Sequence, residues 1–159
     1  MNSSKFKILF ICLGNYCRSP AAHAIMDYLI TTKYKNLKDK IEVDSCGTSD
    51  QDSGCLPDYR MRKVCKKRNI NCNHIARKMT KNDMEKNDLI IVMDDDNYND
   101  VIYFGGDKNK IKKIINFISD NKGENCVPDP YYGDENTFEF AFDLIYDGCE
   151  GILKSYKFI

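Results

Sequence analysis

The chain has no excess of charge of either sign: Lys+Arg and Asp+Glu each number 24 across 159 residues. Without a global field, neither nucleic acid nor an anionic membrane surface is attracted as a whole, so any anion site has to be built locally, as a pocket. No run reaches the ~18 continuous apolar residues that a membrane span needs. The short apolar stretch behind Lys5 and Lys7 stops at Gly14-Asn15 with no small-residue cleavage site after it, so no secretory leader is expected. Eight cysteines are present, yet they form no paired C-x-x-C pattern of the zinc type and are sparser than in secreted disulfide scaffolds. Reduced thiols in a cytoplasmic protein are the expectation. Internal repeats and low-complexity linkers are missing as well, and residues 1–159 are read as one domain, long enough to bury its own core.

What is there alternates between two periods. Strand-length apolar or β-branched runs occupy Lys5 to Ile11, Ile41 to Ser45, Asp88 to Met93 and roughly Lys112 to Phe117. Helical spacing begins after Ser19-Pro20, with Ser19 expected as the cap, and runs through Ala21, Ala22, Ile25, Met26 and Leu29. Further helices are predicted from Pro57-Asp58 to Arg68, over Thr80 to Lys86, and through Phe138, Ala141, Phe142, Ile145, Cys149 and Ile152. Near-continuous apolar strands alternating with helices predict an α/β fold with a parallel sheet covered on both faces. The stretch Asp120 to Asn136 is a long Gly/Asn/Pro/Asp-rich loop of the kind that tends to carry function.

The first strand runs into Cys12-Leu13-Gly14-Asn15-Tyr16-Cys17-Arg18 just before a helix. In open α/β sheets ligands bind beyond the carboxyl ends of the strands, where a helix N-terminus favours an anion. The helix dipole and the Arg18 guanidinium would both favour thiolate over thiol at Cys12, making it a nucleophile. The residues between can curl with their N–H groups inward, Gly14 and Asn15 supplying left-handed conformations, while Arg18 offers a planar fork to two phosphate oxygens. A cysteine that takes a phosphoryl group also needs a proton source for the leaving oxygen. Asp129, stiffened between Pro128 and Pro130, is the candidate.

Taken together, CLGNYCRSP at 12–20, VDSCGTS at 43–49, PDYR at 57–60, HIARK at 74–78, VMDDDN at 92–97 and DPYYG at 129–133 resemble, in order, the motifs of the low-molecular-weight protein tyrosine phosphatases. The resemblance implies a three-layer fold, a four-stranded parallel sheet flanked by helices on both faces (phosphotyrosine protein phosphatase I-like). It implies hydrolysis of phosphotyrosine in proteins through a phosphocysteine, with no metal and no cofactor. Small aryl phosphates would serve in vitro, and oxyanions such as phosphate or vanadate would inhibit. Cys12 would attack phosphorus. Arg18 and the N–H groups of residues 13 to 18 (Leu13, Gly14, Asn15, Tyr16, Cys17, Arg18) would hold the equatorial oxygens, and Asp129 would act as acid and then base. Ser19 would donate to the sulfur, Ser45 and His74 would support Asn15, and Tyr131 and Tyr132 with Tyr16 would sandwich the substrate ring. Cys17 would be a reversible disulfide partner that protects Cys12. The chain departs from the pattern at Gln51, where many relatives place an aromatic residue, and at His23, where members often carry Glu. Asp50 and Asp52 predict a preference for basic or neutral flanks.

Other readings of the same residues are an arsenate reductase-like thiol enzyme, for which Cys65 and Cys72 have a suggestive gap but stand before the third strand, and a catalytically silent phosphotyrosine-binding module. Leu89 to Asp96 is an apolar strand ending in D-x-D, which would suit a haloacid-dehalogenase phosphotransferase using Mg²⁺. As a calcium loop it fails, because Asp100 stands where Gly is needed and Gly106 where Glu is needed. Its expected role is a solvated strand end.

Overall fold

The computed structural model describes residues 4 to 159. Strand β1 (Phe6–Cys12) sits inside a four-stranded sheet with β2 (Ile41–Gly47), β3 (Leu89–Val92) and β4 (Ile111–Lys113) in the order β2-β1-β3-β4. All pairings are parallel. The period-two alternation of β1 divides the core: Ile8, Phe10 and Cys12 join one buried cluster, Leu9 and Ile11 the other. On the first face lie α1 (Arg18–Tyr28), α2 (Tyr59–Lys66) and α5 (Glu135–Ser155). On the second lie α3 (Lys81–Lys86) and α4 (Asp95–Phe104), through Met84 and Val101. The result is the three-layer α/β arrangement predicted for the chain.

Three local readings are corrected. Helix α1 starts at Arg18, its N-cap is Cys17 with no side-chain cap bond, and the Ser19 hydroxyl is turned inward instead of capping. Pro20 is tolerated at the third helical position because its missing N–H has no intrahelical partner there. The fourth strand is only three residues long. Ile114–Phe117 is a 3-10 turn, since Ile114 packs against Gly148 of α5, where a Cβ would come within 2.6 Å of Ile114 Cγ1. Finally, residues 95–104 form a helix where a solvated strand end was expected, opened by Asp94, whose carboxylate accepts from the N–H of Asn97, and closed by Gly105 at φ 112°.

The strand order reverses its direction of growth between β1 and β3, and the carboxyl ends of these two strands deliver Cys12 and Asp94 side by side. That switch point is where an open α/β sheet leaves a crevice.

Candidate active site

A cleft of about 200 Å³ opens at this point, with Cys12 and Arg18 in its floor and Asp129, Tyr131, Tyr132 and Asp52 around its mouth. Cys12 is 2% exposed, its Sγ 3.0 Å from the Ser19 hydroxyl. With Cys12 as thiolate, the hydroxyl is the donor. Among the described residues, none of the backbone N–H groups of residues 13 to 18 donates a hydrogen bond within the protein, so they remain available to an anion.

The loop keeps its shape through buried side chains. Asn15 is fully buried and takes φ 55°, the one left-handed residue of the loop; Gly14, expected to share that role, does not have positive φ. Asn15 Nδ2 donates to Ser19 Oγ (2.7 Å) and Ser45 Oγ (3.1 Å), and its Oδ1 accepts from the N–H of Arg77 (3.2 Å). A second close approach makes Gly47 necessary, because a Cβ there would lie 2.8 Å from the Leu13 carbonyl oxygen and 2.9 Å from the Gly14 carbonyl carbon. Of the support residues expected, Ser45 is in place, whereas His74 makes no hydrogen bond to Asn15. The imidazole on Ser45 is that of His23, with Nδ1 2.9 Å from the hydroxyl. His23 and His74 face each other with ring centroids 4.7 Å apart. Burial, and then His74, pull His23 down to about 4, and burial lowers His74 as well, so the packing favours the neutral form of both rings.

Arg18 is 3% exposed and held from two sides. Its Nη1 donates to Asp94 Oδ2 (2.7 Å) and to the carbonyl of Val127 (3.1 Å), while Nη2 lies 3.7 Å from Asp129 Oδ2. Burial alone would lower its proton affinity. Cys12, Asp94 and Asp129 outweigh that effect and raise it, so the guanidinium stays charged in a desolvated position. Asp94 is thus a positioning residue in a partly buried ion pair, which corrects the expectation of a solvated acid. The buried Cys17 thiol is pushed up, first by burial and then by Asp58 and Cys12.

Asp129 stands at the rim with its side chain 41% exposed, its Oδ1 accepting from the N–H of Tyr131 (3.1 Å). Arg60, whose Nη2 is paired with Asp58 (2.9 Å), donates to the carbonyl of Tyr131 (3.0 Å) and lies over the Tyr131 ring at 5.6 Å. Tyr16 and Tyr131 face one another with centroids 6.2 Å apart, while Tyr132, 94% exposed, stands edge-on to Tyr131 at the outer lip. Gln51 and Asp52 also line the cleft, and the Asp52 carboxylate leans over Gly14, where a Cβ would collide with its Oδ2.

Asp94 and Arg60 are the site-building residues that motif reading did not assign, whereas the departure noted at His23 does place two imidazoles face to face. The run Asp94 to Asn97 carried a cap signal for a helix, and that signal alone could have separated Asp94 from its acidic neighbours. Cys65 and Cys72 are buried in the core cluster, away from the end of the third strand where a thiol relay was sought.

Known proteins share this arrangement. Residues 7–157 match the family model for low molecular weight phosphotyrosine protein phosphatase. A chicken protein of that name is 36% identical over 149 residues, covering 92% of this chain and 93% of its own, and the human one is 34% identical over the same span. A crystal structure of protein tyrosine phosphatase from Entamoeba histolytica superposes with TM-score 0.90 at 38% identity, covering 97% of each chain. A Drosophila arginine phosphatase superposes with TM-score 0.86 at 30% identity over 95% of this chain and 98% of its own. With that match spanning nearly the whole sequence, and a cysteine and an arginine together in the floor of the cleft, the chain belongs to the low molecular weight phosphotyrosine protein phosphatase family.

Proposed function

We propose that the chain acts, as one domain over residues 1–159, to hydrolyse phosphotyrosine in proteins through a phosphocysteine intermediate, with no metal or other cofactor. The observation that carries this reading is the Arg18 guanidinium, fixed on one edge by Asp94 and Val127 while its other edge reaches Asp129 beside Cys12. Such a fork is set before the substrate arrives, so the charge developing on the phosphoryl oxygens meets oriented donors without reorganisation. Cys12 Sγ attacks phosphorus as the P–O bond to tyrosine breaks, and Asp129 gives its proton to the leaving phenolate oxygen. In the second step Asp129, now a carboxylate, takes a proton from water that attacks phosphorus, and the P–S bond breaks with Ser19 donating to the departing thiolate. Leu13, Gly14, Asn15, Tyr16 and Cys17 contribute backbone N–H groups to the phosphoryl oxygens.

Tyr16 and Tyr131 frame the ring, which supports a tyrosyl over a shorter seryl phosphate. Asp52 on the lip supports basic or neutral residues next to the phosphotyrosine. Rapid acid quench during turnover tests the mechanism: label from the phosphoryl group is expected on Cys12, and label on Asp94 or another carboxylate overturns it. Parallel assays with phosphotyrosine and phosphoarginine peptides decide the substrate class, with kcat/KM higher for phosphotyrosine the expected result.

The proposal includes Cys17 as redox partner. Peroxide converts the Cys12 thiolate to a sulfenic acid, and attack by the Cys17 sulfur closes a disulfide with loss of water. Inactivation by peroxide that dithiothreitol reverses in the native chain, but not in Cys17→Ala, is the expected outcome. All eight cysteines are free, which supports a reducing, cytoplasmic setting, and among the described residues no helix is long and apolar enough to cross a membrane.

A further inference from the structure

Next to the phosphate loop, beyond Ser45, His23, His74 and Asp44 each offer a ligand atom, and these atoms lie within 4.8 Å of one another. Among the described residues, His74 Nε2 is the buried side-chain atom left without a hydrogen-bond partner; it is 4.0 Å from Asp44 Oδ1. A buried ring nitrogen with nothing to pair with is costly unless something is meant to meet it. We propose that these three side chains form a binding site for a divalent cation of the zinc class, separate from the catalytic cleft.

The donor set fits that class. Two imidazole nitrogens and one carboxylate oxygen, with room for solvent ligands, suit Zn²⁺ or Co²⁺ better than Ca²⁺ or Mg²⁺, which take oxygen donors. In a filled tetrahedral site with bonds of roughly 2.0–2.2 Å the ligand atoms stand about 3.4 Å apart. The three side chains therefore need to close by about an ångström, within the reach of small χ rotations. Asp44 is already held in a suitable orientation. Its Oδ2 accepts from Arg77 Nη2 at 2.9 Å, and Oδ1, which accepts from the N–H of Ser45 at 2.8 Å, keeps a second lone pair toward His74. Charge is balanced on the other flank by Asp27, whose Oδ2 is 3.4 Å from His23 Nε2. A cleft of about 210 Å³ lined by His23, Asp27 and His74 gives an ion a way in. The site adjoins the phosphate loop through Ser45, which touches both His23 and Asn15.

The test must separate this site from eight thiols. Titration of the Cys12→Ser chain with Co²⁺ is expected to bind a single ion with a ligand-field spectrum of nitrogen and oxygen donors and no thiolate-to-cobalt charge-transfer band. Zn²⁺ should displace it. His74→Gln is expected to weaken Co²⁺ binding about tenfold or more with unchanged circular dichroism, and His23→Gln likewise. Absence of binding, a thiolate band, or affinity unaltered in His74→Gln overturns the proposal. The readout is spectroscopic, so the result is independent of whether the catalytic reading holds.

Discussion

Two loops meet over the cleft and are built in opposite ways. The phosphate loop, residues 12–18, is short and interior: Asn15 and Arg18 are buried, and each is held by three polar contacts through its side chain. The acid loop around Asp129 is long and exposed, tied down by Arg60 at Tyr131 and Gly133 and by the N–H of Val127 on the carbonyl of Met93. The difference teaches a division of labour. Groups that stabilise charge must be oriented beforehand, because a dipole that turns during the reaction loses most of its value. A group that delivers a proton to many protein substrates has to leave the mouth open for them, and exposure is the natural result.

The comparison can be broken or sharpened by experiment. Cys12→Ser should reduce kcat for p-nitrophenyl phosphate by about 10⁴-fold or more without loss of fold, measured by steady-state kinetics and thermal melting. Arg18→Lys keeps the charge but loses the fork that reaches Asp94, Val127 and Asp129 together, and kcat should drop about 10²- to 10³-fold. Asp129→Asn, in the exposed loop, should cost about 10²-fold on phosphotyrosine and less on p-nitrophenyl phosphate, whose leaving group needs no proton. A loss independent of leaving group would put the acid elsewhere. Asn15→Ala removes the buried amide from a left-handed position and should lower stability by about 2 kcal/mol in urea melts, whereas Tyr132→Ala in the acid loop should leave it unchanged.

The smallest effect concerns pH. Arg77, whose backbone N–H holds Asn15, is pinned by two bonds of 2.8 Å to the buried Asp83. Burial pushes the Asp83 carboxyl up, but the bonds from Arg77 and Thr80 win and hold it below the usual carboxylate range. A carboxyl lower in the folded chain than in the unfolded one contributes stability that is complete above the unfolded value and is lost as pH falls through the folded one. Melting temperature should therefore fall below about pH 4, with a shallower fall in Asp83→Asn.

Much of the fold was legible because β1 and β3 carry uninterrupted apolar runs whose two faces are both buried. The fourth strand was overread, since Ile114 and Ile115 are apolar in either conformation and period alone does not separate a strand from a turn packed under a helix. Helix α4 was missed because its polar opening hides a cap, and with it went the role of Asp94.

Sequence by itself determined the chemistry of the phosphate loop: Cys12, the turn through Asn15, Arg18 and Ser19 are neighbours in the chain, so spacing and residue type define the anion cradle. Only the tertiary structure decided which distant groups orient it. Arg18 finds Asp94 at a separation of 76 residues and Val127 at 109. Across the seam between α1 and β2, His23 finds the hydroxyl of Ser45 and packs against His74 in the loop after α2. The physical reason is the parallel sheet, which brings the carboxyl ends of strands far apart in sequence to one edge, where burial makes each polar group depend on whatever partner the packing supplies.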